Sequence, residues 1–269
     1  MSVSKQLADL RVEVIGDVNG LRAVLNDLNG LTVKPPPLYF DLQGVELGRH
    51  GSISVVTLYI LPKKTVYLID MLQLGGSAFS MTTDKGISLE TILETKNIPK
   101  VFFDSLNALD ALFNLYGISV EGFHDVQVME LATRKGSKAI RHELDECVAK
   151  DSPTLIAEDL GWRLVNAAAT KLLDPERGGR TEILDERPIR GELIWYCAQK
   201  VTSLPDLFKK YDASLSREWQ KISQVKVESA TSKLIALSKS ASYKEPGMDG
   251  FWGSDYDIKR DINNWRAKR

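Results

Sequence analysis

Along this chain the apolar positions form short β-period runs first and helix-period stripes later. Leu38-Tyr39-Phe40-Asp41-Leu42 is apolar and β-prone with an acid inside it, Ser52 to Ile60 is rich in β-branched residues, and Thr65 to Asp70 is β-prone again. Glycines and a Pro-Lys-Lys turn separate the three runs, which predicts an antiparallel three-strand meander. Pro35-Pro36-Pro37 leads in as a rigid segment without ladder donors. An acid in the middle of an apolar strand is costly unless it is paired, hydrogen-bonded or bound to a metal, so Asp41 calls for a partner.

Upstream, Val12 to Ile15 predicts a short edge strand, and Asp17 caps a helix with Leu21, Val24, Leu25 and Leu28 on its apolar face, ended by Gly30. Downstream, Ser88 caps a helix to Thr95 with Ile92 and Leu93 inward. Lys100 to Asp104 predicts a buried strand, with Asp104 terminating it or capping the next helix. That helix runs from Asn107 to Tyr116 and stops at Gly117. Gly122 to Asp125 leads into a helix, Val126 to Thr133, capped by Asp125. Strands followed by strand–helix alternation predict an α/β chain, with a mixed central sheet flanked by helices. From about Lys135 the pattern is helical: Leu144 to Val148, Leu155 to Leu160 and Trp162 to Leu173, then a polar loop from Asp174 to Arg180. Pro188 to Tyr211 carries the longest helical signal of the second half, kinked or interrupted at Pro205. Residues 1–214 are expected to form the main domain. Residues 215–269, with Trp252 and Trp265 in charged surroundings, read as a helical or irregular extension packing on it.

Composition narrows the function classes. The chain has 269 residues and a formal net charge of -1, so nucleic-acid binding would need a local basic patch. Cys147 and Cys197 lack metal or disulfide spacing, which fits a reducing compartment. There is no apolar signal core at the start and no run of the roughly 18 apolar residues a membrane span needs. The expectation is a cytoplasmic or nuclear protein with no membrane partner. Three histidines are scattered without a metal or triad signature, and no phosphate-loop or dinucleotide fingerprint is present.

Three places put polar side chains where apolar ones are expected. Asp41 and Gln43 share one strand face. Asp110 lies near the start of the helix after the buried strand. Tyr196 and Lys200 share a helix face at i, i+4. In this order and spacing, YFDLQGVELGRHGSISVVTLYI, VFFDSLNALDALFNLYGI with GFHDVQVMELATR, and ERPIRGELIWYCAQKVTSLPDLFKKY resemble the DEDD 3′–5′ exonucleases. The RNase D-like branch is the most similar, and the resemblance runs from about Val12 to Ser214. It implies a ribonuclease H-like fold and a two-metal phosphodiesterase site for Mg²⁺ or Mn²⁺, in which carboxylates hold two hard cations that clamp the attacking and leaving oxygens.

Carried over on that resemblance, Asp41 falls on the first acid. Asp110 falls on the third, with Asn107 ahead of it, and Tyr196 falls on the water-orienting tyrosine. Gln43 stands in place of a glutamate and Lys200 in place of the last aspartate. That leaves Asp41 and Asp110 as metal ligands, with weak or no binding expected. An ammonium has no acceptor for a cation, and two unit charges about 4 Å apart at an effective dielectric near 20 interact by roughly 4 kcal/mol. Either Lys200 replaces the metal beside Asp41 and Asp110, or its stem snorkels to solvent. Glu192, four residues before Tyr196, is the candidate rescue ligand.

Arg134, Lys135 and Lys138, with Arg141 and His142, form a basic cluster that either contacts a nucleic-acid backbone or is a solvated loop; Arg177 and Arg180 pose the same choice. Trp195 is expected in the core and His50 in a turn. The implied function is a pseudo-nuclease that binds single-stranded nucleic acid, RNA before DNA, or a protein partner or second copy. The alternative is a slow two-metal 3′–5′ exonuclease.

Overall fold

The structure is a computed structural model that describes residues 10–135, 140–152 and 160–215. The chain opens with β1 (Arg11–Ile15) and α1 (Val18–Asp27), whose first turn is capped by the Asp17 carboxylate accepting from Asn19 and Gly20. The meander follows as β2 (Leu38–Gln43), β3 (Val55–Ile60) and β4 (Thr65–Asp70). Short helices α2 (Met71–Leu74), α3 (Ser77–Ser80) and α4 (Leu89–Glu94) come next, the last with a Ser88–Thr91 capping box. Then come β5 (Lys100–Phe102), α5 (Leu106–Tyr116), β6 (Phe123–Asp125) and α6 (Val126–Thr133). The described helices beyond are α7 (Leu144–Asp151), α8 (Leu160–Leu173), α9 (Gly191–Thr202) and α10 (Leu204–Ser214). Pro205 sits in the first turn of α10 and marks the break from α9 at Ser203. Lys138, most of the expected helix 155–160 and nearly all of the 215–269 extension lie outside the described residues.

The sheet order is β1-β4-β3-β2-β5-β6. β2, β3 and β4 pair antiparallel, while β1 on β4, β5 on β2 and β6 on β5 are parallel. This is the mixed α/β sheet flanked by helices expected of a ribonuclease H-like exonuclease fold. Strand alternation divides the core. Phe40, Leu42 and Leu58 pack on one face against Leu21 and Leu25 of α1 and Leu112 of α5. Tyr39, Tyr59 and Leu68 face the other way, onto Leu193, Cys197 and Val201 of α9. Those three lie at i, i+4 and i+8, the stripe a helix presents to a sheet.

Two polar fixtures hold elements that frame the site. Lys100 is fully buried, and its ammonium donates to the carbonyls of Ile92 (2.7 Å), Leu93 (3.1 Å) and Thr95 at the end of α4. Burial pushes it down to about 8, so it stays charged at neutral pH against carbonyls at the negative end of a helix. Arg187 donates to both oxygens of buried Asp70 (2.5 and 2.8 Å) and to the Ser54 carbonyl (3.1 Å), which pins the lead-in to α9 onto the sheet.

Candidate functional site

β2 carries Asp41 and Gln43 on the face that looks at α9, because Tyr39 of the same parity packs there. Gln43 Nε2 donates to Asp41 Oδ2 at 2.7 Å. The glutamine therefore turns its donor, not its carbonyl oxygen, toward the acid. From α9, Lys200 places its ammonium 5.1 Å from the Tyr196 ring centroid. Burial alone would lower the Lys200 ammonium, but Asp41, the largest favourable charge on it, and Tyr196 outweigh that and hold it above the ordinary lysine range. Burial raises Asp41 above the usual carboxylate range, with Lys200 and then Gln43 opposing. Burial also raises the Tyr196 phenol, which stays neutral. Cys197, between them on α9, is pushed up to about 12 by burial and Asp41 and is an unreactive thiol. The structure thus brings together Asp41, Gln43, Tyr196 and Lys200.

Asp110 corrects the expected ligand set. Its carboxylate is taken up by Arg49, through the backbone N–H (2.9 Å), Nε (3.1 Å) and Nη2 (2.7 Å), with Asn114 Nδ2 adding a fourth donor at 3.0 Å. A carboxylate so filled is not open to a metal, and Asp110 is not among the charges that shift Asp41 or Lys200. Asp41 and Tyr196 lead the charges that act on Lys200. Asp104 also departs from expectation. It neither caps α5 nor ends β5: the Asp125 carboxylate receives the N–H of Ser105 (2.8 Å) and its hydroxyl (2.7 Å). Asp104 sits at φ +50 and pairs with Arg141 at 3.5 Å. Burial, then Asp125, pushes its carboxyl up to about 6, with Arg141 and Lys200 pulling the other way. Asp104, expected to end the strand or cap the next helix, is instead an acid near Lys200. Glu192 is exposed and lines a separate cavity with Arg180, Glu186 and Arg190, so it is no rescue ligand.

These residues do not fit a pair of divalent ions. One carboxylate, already bonded by an amide donor and faced by Lys200 rather than an acid on α9, offers too few oxygens for two hard cations. A second group, Glu130, His142 and Cys147, has ligand atoms within 4.8 Å of one another, close enough to hold a metal ion. Its present partners are cationic. Arg134 holds both Glu130 oxygens, Lys150 stands 3.1 Å from His142 Nε2, and His142 Nδ1 stands 3.0 Å from Glu130. The Cys147 thiol is pushed up to about 12, first by burial.

The expected nucleic-acid contacts separate. Arg134 is largely buried in its pair with Glu130 and belongs to the scaffold, which corrects its assignment. Lys135 is exposed at the end of α6. Arg177 and Arg180 are exposed and paired to Asp174 (3.2 Å) and Glu186 (2.6 Å), around a cavity of about 460 Å³ that also takes in Lys171 and Arg190. Trp195 is 47% exposed rather than core.

No family model matches the chain. The fold is that of the DEDD, RNase D-like exonucleases. It aligns with Trypanosoma brucei RNase D in complex with RNA U12 at a TM-score of 0.69 and 19% identity, over 97% of this chain and 83% of that one. Brucella melitensis NrnC aligns at 0.59 and 14% identity, over 88% and 100%, and Escherichia coli RNase D at 0.54 and 16%, over 84% and 51%. In sequence, 89 residues are 34% identical to mouse piRNA biogenesis protein EXD1; the match takes in 33% of this chain and 14% of that protein. Among the described residues no helix is long and apolar enough to cross a membrane.

Proposed function

We propose that this chain is a nuclease-derived binding protein for single-stranded nucleic acid, RNA before DNA, that works in the cytoplasm or nucleus without a divalent ion. The carrying observation is Gln43 donating to the Asp41 carboxylate, with Lys200 in place of a further acid on the facing helix. The family's chemistry needs several carboxylates around two cations; here Gln43 and Lys200 stand where two of them are expected, and Asp110 is taken up by Arg49. The likeness to an RNase D bound to RNA, and to a protein of piRNA biogenesis, supports RNA as the ligand. Lys135, Arg177 and Arg180 are the exposed cations suited to phosphate contact.

The test is fluorescence anisotropy of labelled oligouridylate and oligothymidylate, with and without EDTA, beside gel analysis of strand length in Mg²⁺ or Mn²⁺. The expected result is binding that a chelator leaves unchanged and a strand that keeps its length. Metal-dependent shortening from the 3′ end would overturn the proposal. Retention of Asp41 and Tyr196 favours the second reading, a slow two-metal exonuclease. Two ions bound at micromolar level in calorimetry would select it.

A further inference from the structure

A cavity of about 460 Å³ lies between the end of α8, the loop that follows it and the start of α9. Lys171, Arg177, Arg180, Arg190, Glu186 and Glu192 carry its charges. The loop is wound back on the helix. The Gly179 N–H donates to the Asp174 carbonyl at 2.9 Å, and the Arg180 N–H to the Leu172 carbonyl at 2.8 Å. Gly178 sits at φ +80, and a Cβ on Gly179 would stand 2.4 Å from the Leu172 carbonyl oxygen. Arg177 and Arg180 therefore stand on a tightly held backbone. Arg187, pinned to Asp70, fixes the segment that carries Glu186 and Arg190.

Cations are in excess here. Arg180 donates to one oxygen of Glu186 at 2.6 Å, and Arg190 to the other at 3.1 and 3.3 Å, so two guanidiniums share one carboxylate. Arg177 pairs with Asp174 through Nε at 3.2 Å. Lys171 is exposed and has no partner among the described residues. Even with Glu192 and Asp174 counted, the four cations outnumber the acids. A guanidinium carries five N–H donors, so each of the three arginines keeps donors unspent. In a chain whose formal net charge is -1, this is a local surplus of positive charge around a concave surface.

We propose that this cavity binds a phosphate group of the strand, held by Lys171 and the guanidiniums of Arg177, Arg180 and Arg190. A phosphate offers oxygens on several sides, so several forks reach it together, and guanidinium–phosphate pairing is bidentate. Glu192 and Lys200 lie eight residues apart on α9, about 12 Å along its axis, so the site belongs to a nucleotide outside the Asp41 centre. The inference rests on the single-strand binding proposed above and deepens it by placing one phosphate. That phosphate is an internal phosphodiester or a terminal phosphate monoester, and the experiment separates the two.

The experiment is fluorescence anisotropy of 3′-labelled oligouridylate, with a 5′-hydroxyl or a 5′-phosphate, over a range of salt, on the full chain and on Lys171→Gln and Arg177→Gln. Lys171 has no partner to lose, so its variant should melt at the wild-type temperature. Each variant is expected to bind about tenfold more weakly, the size of one charge-assisted hydrogen bond. The slope of log affinity against log salt should become shallower by about 0.7. An equal loss with both strands assigns the site an internal phosphodiester; a loss confined to the 5′-phosphorylated strand assigns it the terminal monoester. Lys209→Gln, a change on α10 at an exposed position outside this cavity, should leave the affinity unchanged. Wild-type affinity in both cavity variants would overturn the proposal, as would an equal loss in Lys209→Gln. Titration with inorganic phosphate, read by the backbone amide signals of Gly178, Gly179 and Arg180, keeps the two readings apart. Strand binding with those amides unmoved and the variants unchanged removes the site and leaves the function. Amides that shift in the wild type and not in Lys171→Gln, without strand binding, do the reverse.

Discussion

Asp41 is the largest favourable charge on Lys200. Lys200→Met and Asp41→Asn are expected to be non-additive in urea denaturation, with an interaction energy of about 0.5–3 kcal/mol. Strict additivity of the two changes would show that they do not interact. Asp104 gives a pH signature. Its carboxyl is raised to about 6, chiefly by burial, against about 3.9 in an unfolded chain. Between those values the native state binds more protons, so the stability this group contributes is complete below about 4 and is lost as pH rises through about 6. Asp104→Asn should leave stability unchanged near pH 4 and raise it at pH 7, measured by denaturation midpoints. Some of these residue roles are legible in the sequence. Arg134 stands four residues after Glu130, an i, i+4 pair that points to a scaffold ion pair. The fate of Asp110 was not, because its partner lies 61 residues away in sequence.

Arg49 and Asp110 tie the loop after β2 to helix α5. That loop is tightly wound: Glu46 has φ +48, and a Cβ on Gly44 would stand 1.9 Å from the Ser52 carbonyl oxygen. The Arg49 guanidinium and backbone N–H bridge it to Asp110. Arg49→Met is expected to cost about 3 kcal/mol and to speed amide exchange at Gly51 and Ser52, while the Lys200–Asp41 pair keeps its coupling energy. Loss of that coupling would mean that Asp110 belongs to the centre after all. Helix rotation turns Trp195 out of the core in which its apolar neighbours suggest it. Its neighbours Leu193 and Cys197 are buried, but Trp195 lies two residues from each, about 200° round the helix. Counting the Leu193–Cys197–Val201 stripe in the sequence would have turned it outward.

The sheet was readable because β2, β3 and β4 carry long apolar runs that turn chemistry separates. The three-residue strands β5 and β6 were carried instead by the helices that follow them, with Gly117 and Asp125 marking the joints. The site was readable as positions but not as contacts. Period-two and period-3.6 rules put Asp41, Gln43, Tyr196 and Lys200 on facing surfaces. Which atom Gln43 turns to Asp41 depends on the packed surroundings. For the whole molecule, the binding role proposed above predicts a stability independent of divalent ions. The melting temperature should be the same in EDTA and in millimolar Mg²⁺; a rise with Mg²⁺ would reveal an ion site by linkage. Gln43→Glu with Lys200→Asp should add a dependence on Mg²⁺ or Mn²⁺, read by calorimetry.

The Lys200 ammonium also bears on reversibility. In the arrangement that the resemblance implies, four carboxylates balance two dications; here Gln43 is neutral and Lys200 positive at two of those positions. Lys200→Asp alone leaves too few oxygens to retain two hard cations, and Gln43→Glu alone keeps an ammonium that repels them. Restoring a metal centre therefore takes both changes together, and neither single variant is expected to bind ions in calorimetry.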